Sequence, residues 1–298
     1  MCKNSKTLSF LVFNFGKERL RNLWHTMNVV KDIQTKNNYK DIEFICIEHG
    51  DQEYSKEHAE KTGFKYEYYF DPLLASHRST LRNKAVDLAV GKYVILHDND
   101  IIPDENFFDD ILKQVETYPD QLYFSNFNDV INLTPRLTEI LIKDMLTVNK
   151  FQYGYINGTD LTKTGNFEGC AVRGHGYWTF TEATGGSFTV DRDTFIKHGF
   201  DESFTRWGAE DNMFKLNMIK NIGWDKVGLI NKSLLHSDHS SELDYDPRTG
   251  IIQVFTQDIN TNRKKLYDYL NEVQGTLDTD TFEIYRDGMH LTSIKKLN

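Results

Sequence analysis

Short apolar runs alternate with segments of helical period through the first third of the chain, and that alternation leaves few folds open. Residues 7–15, 42–48, 65–70 and 92–96 each read as a strand. Between the first two, Leu20, Leu23, Trp24, Met27 and Val30 fall on one helical face. A polar helix is expected near 53–62, and the helix predicted over 78–90 turns Leu81, Ala85, Leu88 and Ala89 inward. Strands that alternate with helices pair in parallel, because the helix carries the chain back across a sheet face. The expected class is therefore α/β: a mixed, mainly parallel sheet, Rossmann-like, flanked by helices.

The pattern continues beyond Pro103. Phe107, Phe108, Ile111, Leu112 and Val115 mark a helix, residues 121–127 a strand, and 134–148 a helix with Pro135 near its start. From 150 to 183 glycines are scattered among polar and aromatic residues without a period, which suits a flap over a site. Order returns with a strand over 185–191, a helix over 192–198, a helix carrying Met213, Leu216, Ile219 and Ile222, and a strand over 224–230. A further helix is expected within 253–274, followed by a polar tail. The expected organisation is a catalytic domain over 1–252, with 253–298 packed on it or extending from it.

Composition narrows the partners. The 298 residues carry a net charge of −9, which lacks the basic footprint of a protein that grips nucleic acid through phosphates. No apolar run approaches the roughly 18 residues of a membrane span. Cys2, Cys46 and Cys170 are odd in number and lack metal spacing, so a reduced, cytoplasmic protein is expected.

The strand over 92–96 ends on His97, Asp98, Asn99 and Asp100. Alternate residues of an extended segment point the same way, so Asp98 and Asp100 can present oxygens to one point. Ligands of α/β sheets sit outside the carboxyl ends of strands. Mg²⁺ or Mn²⁺, held by these acids and the phosphates of a substrate, would fit; a plain Asx turn is the competing account. Further along, Glu210 and Asp211 open a helix, where the macrodipole alone favours acids. Beside the indole of Trp207 they would also suit a sugar, with a carboxylate as general base. His236 follows Leu234-Leu235 at a strand's end and suits Mn²⁺, with His239 as a rival ligand. Gly185 and Gly186 would let a sugar approach the backbone, with a plain turn into the strand as the competing account. Arg82, beside Asn83, could hold phosphate, although a solvated helix face accounts for it more simply.

In this order, Arg82-Asn83, His97-Asp-Asn-Asp100, Gly185-Gly-Ser-Phe-Thr-Val190, Gly199-Phe-Asp-Glu202, Trp207-Gly-Ala-Glu-Asp211 and Leu235-His-Ser-Asp238 resemble a metal-dependent glycosyltransferase of the GT-A fold, the nucleotide-diphospho-sugar transferase type. The later motifs are similar to the galactosyltransferase-type domain shared by β-1,4-galactosyltransferases and polypeptide N-acetylgalactosaminyltransferases. The resemblance implies that Asp100 ligates the metal, that Asp98 contacts the ribose or the metal, and that His236 completes the shell. It implies Asp211 as the base of an inverting reaction, Glu210 as a binder of acceptor or donor hydroxyls, and Trp207 at the border of the sugar site. Gly185 and Gly186 would lie at the donor sugar, Arg82 and Asn83 at the donor, and Glu48 or Asp51 near the nucleobase. A UDP-sugar donor, Mn²⁺ or Mg²⁺ as cofactor, and a glycan or other hydroxyl acceptor follow. A metal-dependent nucleotidyltransferase would also use paired acids but gives no account of Trp207-Gly-Ala-Glu-Asp211. A non-catalytic carbohydrate-binding protein would need no nucleotide.

Overall fold

The computed structural model describes residues 7–17, 19–70, 78–127, 129–133, 186–204, 208–237 and 261–269, with shorter pieces of strand and helix elsewhere between 138 and 181, at 271 and between 282 and 296. The first half alternates as expected. It runs β1 (Leu8–Phe15), α1 (Leu20–Asn37), β2 (Ile42–Gly50), α2 (Lys56–Thr62), β3 (Lys65–Phe70), α3 (Arg78–Leu88) and β4 (Tyr93–His97). A two-residue strand β5 (Ile101–Ile102), α4 (Phe107–Thr117), β6 (Tyr123–Ser125) and β7 (Asp129–Leu133) follow. Then come β8 (Ser187–Asp191), α5 (Arg192–His198), α6 (Glu210–Ile222), β9 (Val227–Leu229) and β10 (Ser233–His236).

The main sheet has seven strands in the order β9-β6-β8-β4-β1-β2-β3. Only β8 runs against its neighbours, antiparallel to both β4 and β6; the other pairs are parallel. The mixed, mainly parallel sheet expected from the alternation is what forms. After β3 the chain returns to the far side of β1, so the strand order reverses between β1 and β4. A crevice opens at such a switch point, at the carboxyl ends of the strands.

Both faces of this sheet are covered. Leu8, Phe10 and Val12 of β1 pack with Leu23, Met27, Val30 and Phe108 on one side. Leu11 and Phe13 pack with Leu81, Ala85, Phe188 and Phe214 on the other. A strand buried on both faces needs an unbroken apolar run, which explains the composition of β1 and β4. Two residues expected inward are not: Trp24 is half-exposed and stacks on His58, and Leu88 lies at the surface while Val86 takes the core position. In α1 the buried stripe runs through Val29 and Ile33 instead of Trp24.

A smaller sheet orders Asn166–Phe167, Cys170–Arg173, β7, β10 and β5. Here β10 pairs antiparallel with β5, His236 opposite Ile101, and parallel with β7. The Ser237 amide donates to the Asp100 carbonyl at 2.8 Å. This register holds the end of β10 against the loop after β4. The segment expected as a strand over 224–230 is a short 3₁₀ turn, Trp224–Lys226, before β9. The helix at 261–269 lays Leu266 into the core beside α6. The polar tail contains paired strands, Phe282–Asp287 and His290–Lys296, with Gly288-Met289 between them. Of the expected 150–183 flap only strand fragments are described, and most of the 134–148 helix lies outside the described residues.

Candidate active site

At the switch point, β4 hands over to the turn His97-Asp98-Asn99-Asp100. His97 is fully buried, and its ring bridges the two sheets, with Nδ1 2.8 Å from Ser187 Oγ and Nε2 2.9 Å from the Ile101 carbonyl. Burial pushes its pKa down to about 4, so the ring is neutral. The hydrogen-bond directions then follow: Asn126 donates to Ser187, Ser187 donates to Nδ1, and Nε2–H donates to the carbonyl. The Asp98 amide donates to the Gly186 carbonyl at 2.7 Å. The turn is thus fastened on both sides before either carboxylate meets a ligand.

The two aspartates have different neighbours. Asp100 is buried; Arg19 Nη1 lies 2.5 Å from its Oδ2 and His236 Nε2 lies 3.6 Å from its Oδ1. Burial works to lower the His236 pKa, but the Asp100 charge outweighs it and the ring sits above its ordinary value. Asp98, partly exposed, accepts from Arg82 Nη2 at 3.0 Å. Burial raises the Asp98 carboxyl above its usual range against the pull of that guanidinium.

Arg82 carries the connection onward, since its Nη1 reaches Asp211 Oδ1 at 2.6 Å and stands 3.9 Å from Glu210 Oε1. Burial opposes its charge, yet Asp211, Asp98 and Glu210 together raise its pKa. The guanidinium also lies over the Phe200 ring, 4.9 Å from its centroid. Gly208 and Ala209 both take positive φ, 113° and 67°. This turn launches α6 so that both acids occupy its first turn. Ala209 there costs roughly 1–2 kcal/mol relative to glycine. Glu210 Oε2 accepts from the Gly208 amide at 2.7 Å, whereas its buried Oε1 has no hydrogen-bond partner among the described residues. Arg78, also buried, has an unpartnered Nε and holds Nη1 4.0 Å from that oxygen. Burial, then the nearby Arg19, lowers the Arg78 pKa, while burial and Asp211 raise that of Glu210. A water or a substrate hydroxyl fits between two polar groups at that separation.

Gly186 approaches the turn closely. A Cβ there would lie 3.0 Å from Ile101 Cγ1 and 3.9 Å from Asp98 Oδ2. Asp98, Asp100, His236, Arg82, Glu210, Asp211 and Gly186 therefore share one neighbourhood. Other expected residues stand apart. Asn83 stitches the following loop, donating to the Phe200 carbonyl and accepting from the Phe200 amide, both at 2.9 Å. Glu48 is fully buried and accepts from Asn14, the Tyr54 and Ser55 amides, and Tyr66. Asp51 is exposed and accepts from Tyr54 Oη at 2.7 Å. Trp207, Gly185 and His239 lie outside the described residues. Sequence reasoning missed Arg19, Arg78, Asn14 and Asn99. Asn99 Nδ2 donates to Asn14 Oδ1 at 3.3 Å, and Asn14 in turn to Glu48, so the middle of the motif is tied to the end of β2. Nothing local marks Arg19, Arg78 or Asn14; only the sheet order brings them to the motif that contains Asn99.

Two donors sharing a divalent ion at roughly 2.0–2.2 Å each lie about 3 Å apart. Asp100 and His236, at 3.6 Å, are close to that spacing. Among the described residues, no group of three or more His, Cys, Asp and Glu could hold a metal by itself. A pair of protein donors, with the remaining positions left to phosphate and water, is what Mg²⁺-type sites ordinarily use. The residues fit the ion on those terms.

A mixed sheet with this strand reversal, and paired acids on the turn after the strand at the reversal, matches the GT-A fold of glycosyltransferases. The model of glycosyl transferase family 2 matches residues 15–171, just over half of the chain, and the chain belongs to that family. Among solved structures, glucosyl-3-phosphoglycerate synthase from Mycobacterium tuberculosis with Mn²⁺, uridine diphosphate and glucosyl-3-phosphoglycerate aligns at a TM-score of 0.51 and 12% identity, over 97% of this chain and 86% of that one. The same enzyme with Mn²⁺, uridine diphosphate and phosphoglyceric acid also aligns at 0.51 and 12%, with the same coverage. A further mycobacterial protein aligns at 0.51 and 13% identity, over 98% of this chain and 83% of that one. At such identities the likeness is one of fold. No curated protein sequence matches the chain.

Proposed function

We propose that this glycosyltransferase moves a hexose-type sugar from a nucleoside diphosphate, with uridine diphosphate as carrier, to an acceptor hydroxyl with inversion at the anomeric carbon. The observation that carries this reading is the meeting of four elements at the switch point, the turn after β4, β10, α3 and α6: Asp100 beside His236, and Arg82 joining Asp98 to Asp211. Asp100 and His236, with Asp98 in support, would hold Mn²⁺ or Mg²⁺. When bound, the ion supplies charge neutralisation for the diphosphate leaving group. The Mycobacterium tuberculosis enzyme of the same fold has been crystallised with Mn²⁺ and uridine diphosphate, and with Mg²⁺ and uridine diphosphate, which supports the same choice here.

The chain's own residues do the rest. Asp211 is partly exposed, so an acceptor can reach it, while Arg82 Nη1 holds its Oδ1 in place at 2.6 Å. It takes the acceptor's O–H proton as the acceptor oxygen bonds to the anomeric carbon and the bond to the diphosphate oxygen breaks. Glu210 offers its Oε1, unpartnered among the described residues, to a sugar hydroxyl, and Gly186 lets the donor sugar lie against the backbone; by its place in the motif Trp207 would border it. Asp51 would face the nucleobase, with Glu48 holding the end of β2 behind it, while Asn83 braces the loop at Phe200. The order of Trp207-Gly-Ala-Glu-Asp211 and His236 supports a galactosyltransferase-type subclass, and the acceptor is a glycan or another hydroxyl compound. The free, buried thiol of Cys46 suits a reducing, cytoplasmic setting, and no helix among the described residues is long and apolar enough to cross a membrane. Calorimetry of uridine diphosphate with Mn²⁺ tests the centre: Asp100→Ala should abolish metal-dependent binding, and an unchanged affinity would reject the assignment.

A further inference from the structure

Arg19 has no part in the chemistry above, yet it occupies the position a cation should take. Its Nη1 lies 2.5 Å from Asp100 Oδ2, on the carboxylate whose other oxygen faces His236. Among the described residues the surroundings are already close to neutral without any ion: four carboxylates, Asp98, Asp100, Glu210 and Asp211, stand among three guanidiniums, Arg19, Arg78 and Arg82. A divalent ion arriving at Asp100 would meet a fixed positive charge at contact distance, in surroundings where water screens poorly. One cation must leave for the other to enter.

The three arginines are not equally free to do so. Arg82 is closed off and held by Asp98 and Asp211, and Arg78 is buried at the start of α3. Arg19 has a side chain 19% exposed and stands at the mouth of the crevice, at the residue that precedes α1. Its side chain can swing into solvent or toward a ligand without disturbing a packed face.

We propose that Arg19 is a built-in substitute for the metal. It caps Asp100 in the ion-free protein and is drawn off by the diphosphate of the incoming nucleotide, so that ion and nucleotide bind as a coupled pair. This rests on the assignment of Asp100 and His236 as the ion's ligands. Coupling of this kind is reciprocal: the factor by which the nucleotide tightens the ion equals that by which the ion tightens the nucleotide.

Electron paramagnetic resonance of free Mn²⁺ tests the inference on wild-type protein, Arg19→Gln and Arg19→Lys, each with and without uridine diphosphate. Without nucleotide, Arg19→Gln should bind Mn²⁺ at least about tenfold more tightly than wild type, because a competing charge is gone. In the same variant the enhancement by uridine diphosphate should fall by about as much, and Arg19→Lys should stay near wild type. Equal or weaker Mn²⁺ binding by Arg19→Gln, or an unchanged nucleotide enhancement, would overturn the cap while leaving the ion's site intact. If wild-type protein with uridine diphosphate binds no Mn²⁺, or Asp100→Ala binds it as well as wild type, the site assignment fails and the inference with it.

Discussion

Replacing Arg82 by methionine isolates the residue on which the site's electrostatics turn. The side chain is 3% exposed and touches Asp98 at 3.0 Å and Asp211 at 2.6 Å, with Glu210 at 3.9 Å. At an effective dielectric constant of about 20, each close pair is worth roughly 4 kcal/mol of attraction, against which the burial of the guanidinium must be set. Methionine keeps the aliphatic stem but loses the counter-charge together with the guanidinium's contact over the Phe200 ring. Breaking a buried pair in this way costs about 3–5 kcal/mol, because the carboxylates left behind remain ionised in a poor solvent. The deficit should shrink at lower pH. Asp98 and Glu210 already lie above their usual range, and without Arg82 they climb further, so protonation relieves the repulsion sooner in the variant than in wild type. Urea unfolding at pH 7 and pH 5 measures both effects. A double-mutant cycle with Asp211→Asn should return a coupling of at least about 1 kcal/mol. A loss under about 1 kcal/mol at pH 7, or additivity within about 0.5 kcal/mol, would mean that Arg82 does not hold these acids together.

Asp211→Asn should lower turnover by about 10²–10⁴-fold with donor affinity retained, and calorimetry beside a steady-state assay separates the two; near-normal turnover would remove it as the base. Gly186→Ala pushes a methyl onto Ile101 and toward Asp98; several-fold weaker donor binding with thermal stability lowered by only about 1 kcal/mol is expected, and unchanged binding would show that the donor does not pass this point. Glu43 accepts from Ser9, the Val90 amide and Lys65. Burial alone would raise its pKa, but these donors leave it below the ordinary value. Its stabilising contribution is therefore complete above the unfolded carboxyl's pKa and is lost as pH falls through the folded one. Glu43→Gln should cost about 1–3 kcal/mol at pH 7 and progressively less in acid, a trend that unfolding curves from pH 7 to pH 3 would expose or contradict.

Much of the fold could be read directly from the chain, for a physical reason. A parallel sheet covered on both faces demands unbroken apolar strands, and β1, β2 and β4 are written that way. Helical faces were less certain: Trp24 fits the apolar stripe of α1 but serves at the surface against His58, a choice that depends on where α2 packs. Strand Phe282–Asp287 and its partner were hidden by polar composition, although Gly288-Met289 is a Gly-first pair of the sort that two-residue hairpins favour. In the site, acids at strand ends and helix starts are visible because their chemistry is local. Arg19, Arg78 and Asn14 are not, since each gains its meaning from a partner far along the chain. Asn83 and Glu48 illustrate the converse: polar residues beside a motif whose hydrogen bonds go to the scaffold.

The pairing of β10 with β5 has a consequence for how this enzyme comes into being. Ile101 waits for His236 across 135 residues, so, on the proposed assignment of Asp100 and His236 as ligands, a nascent chain that lacks β10 owns half a cation site and cannot select an ion. Competence would arrive late and all at once, as a latch closes. Conversely, a bound ion would clasp that strand to the body of the protein, making the nucleotide's metal also a fastener for the chain's closing segment.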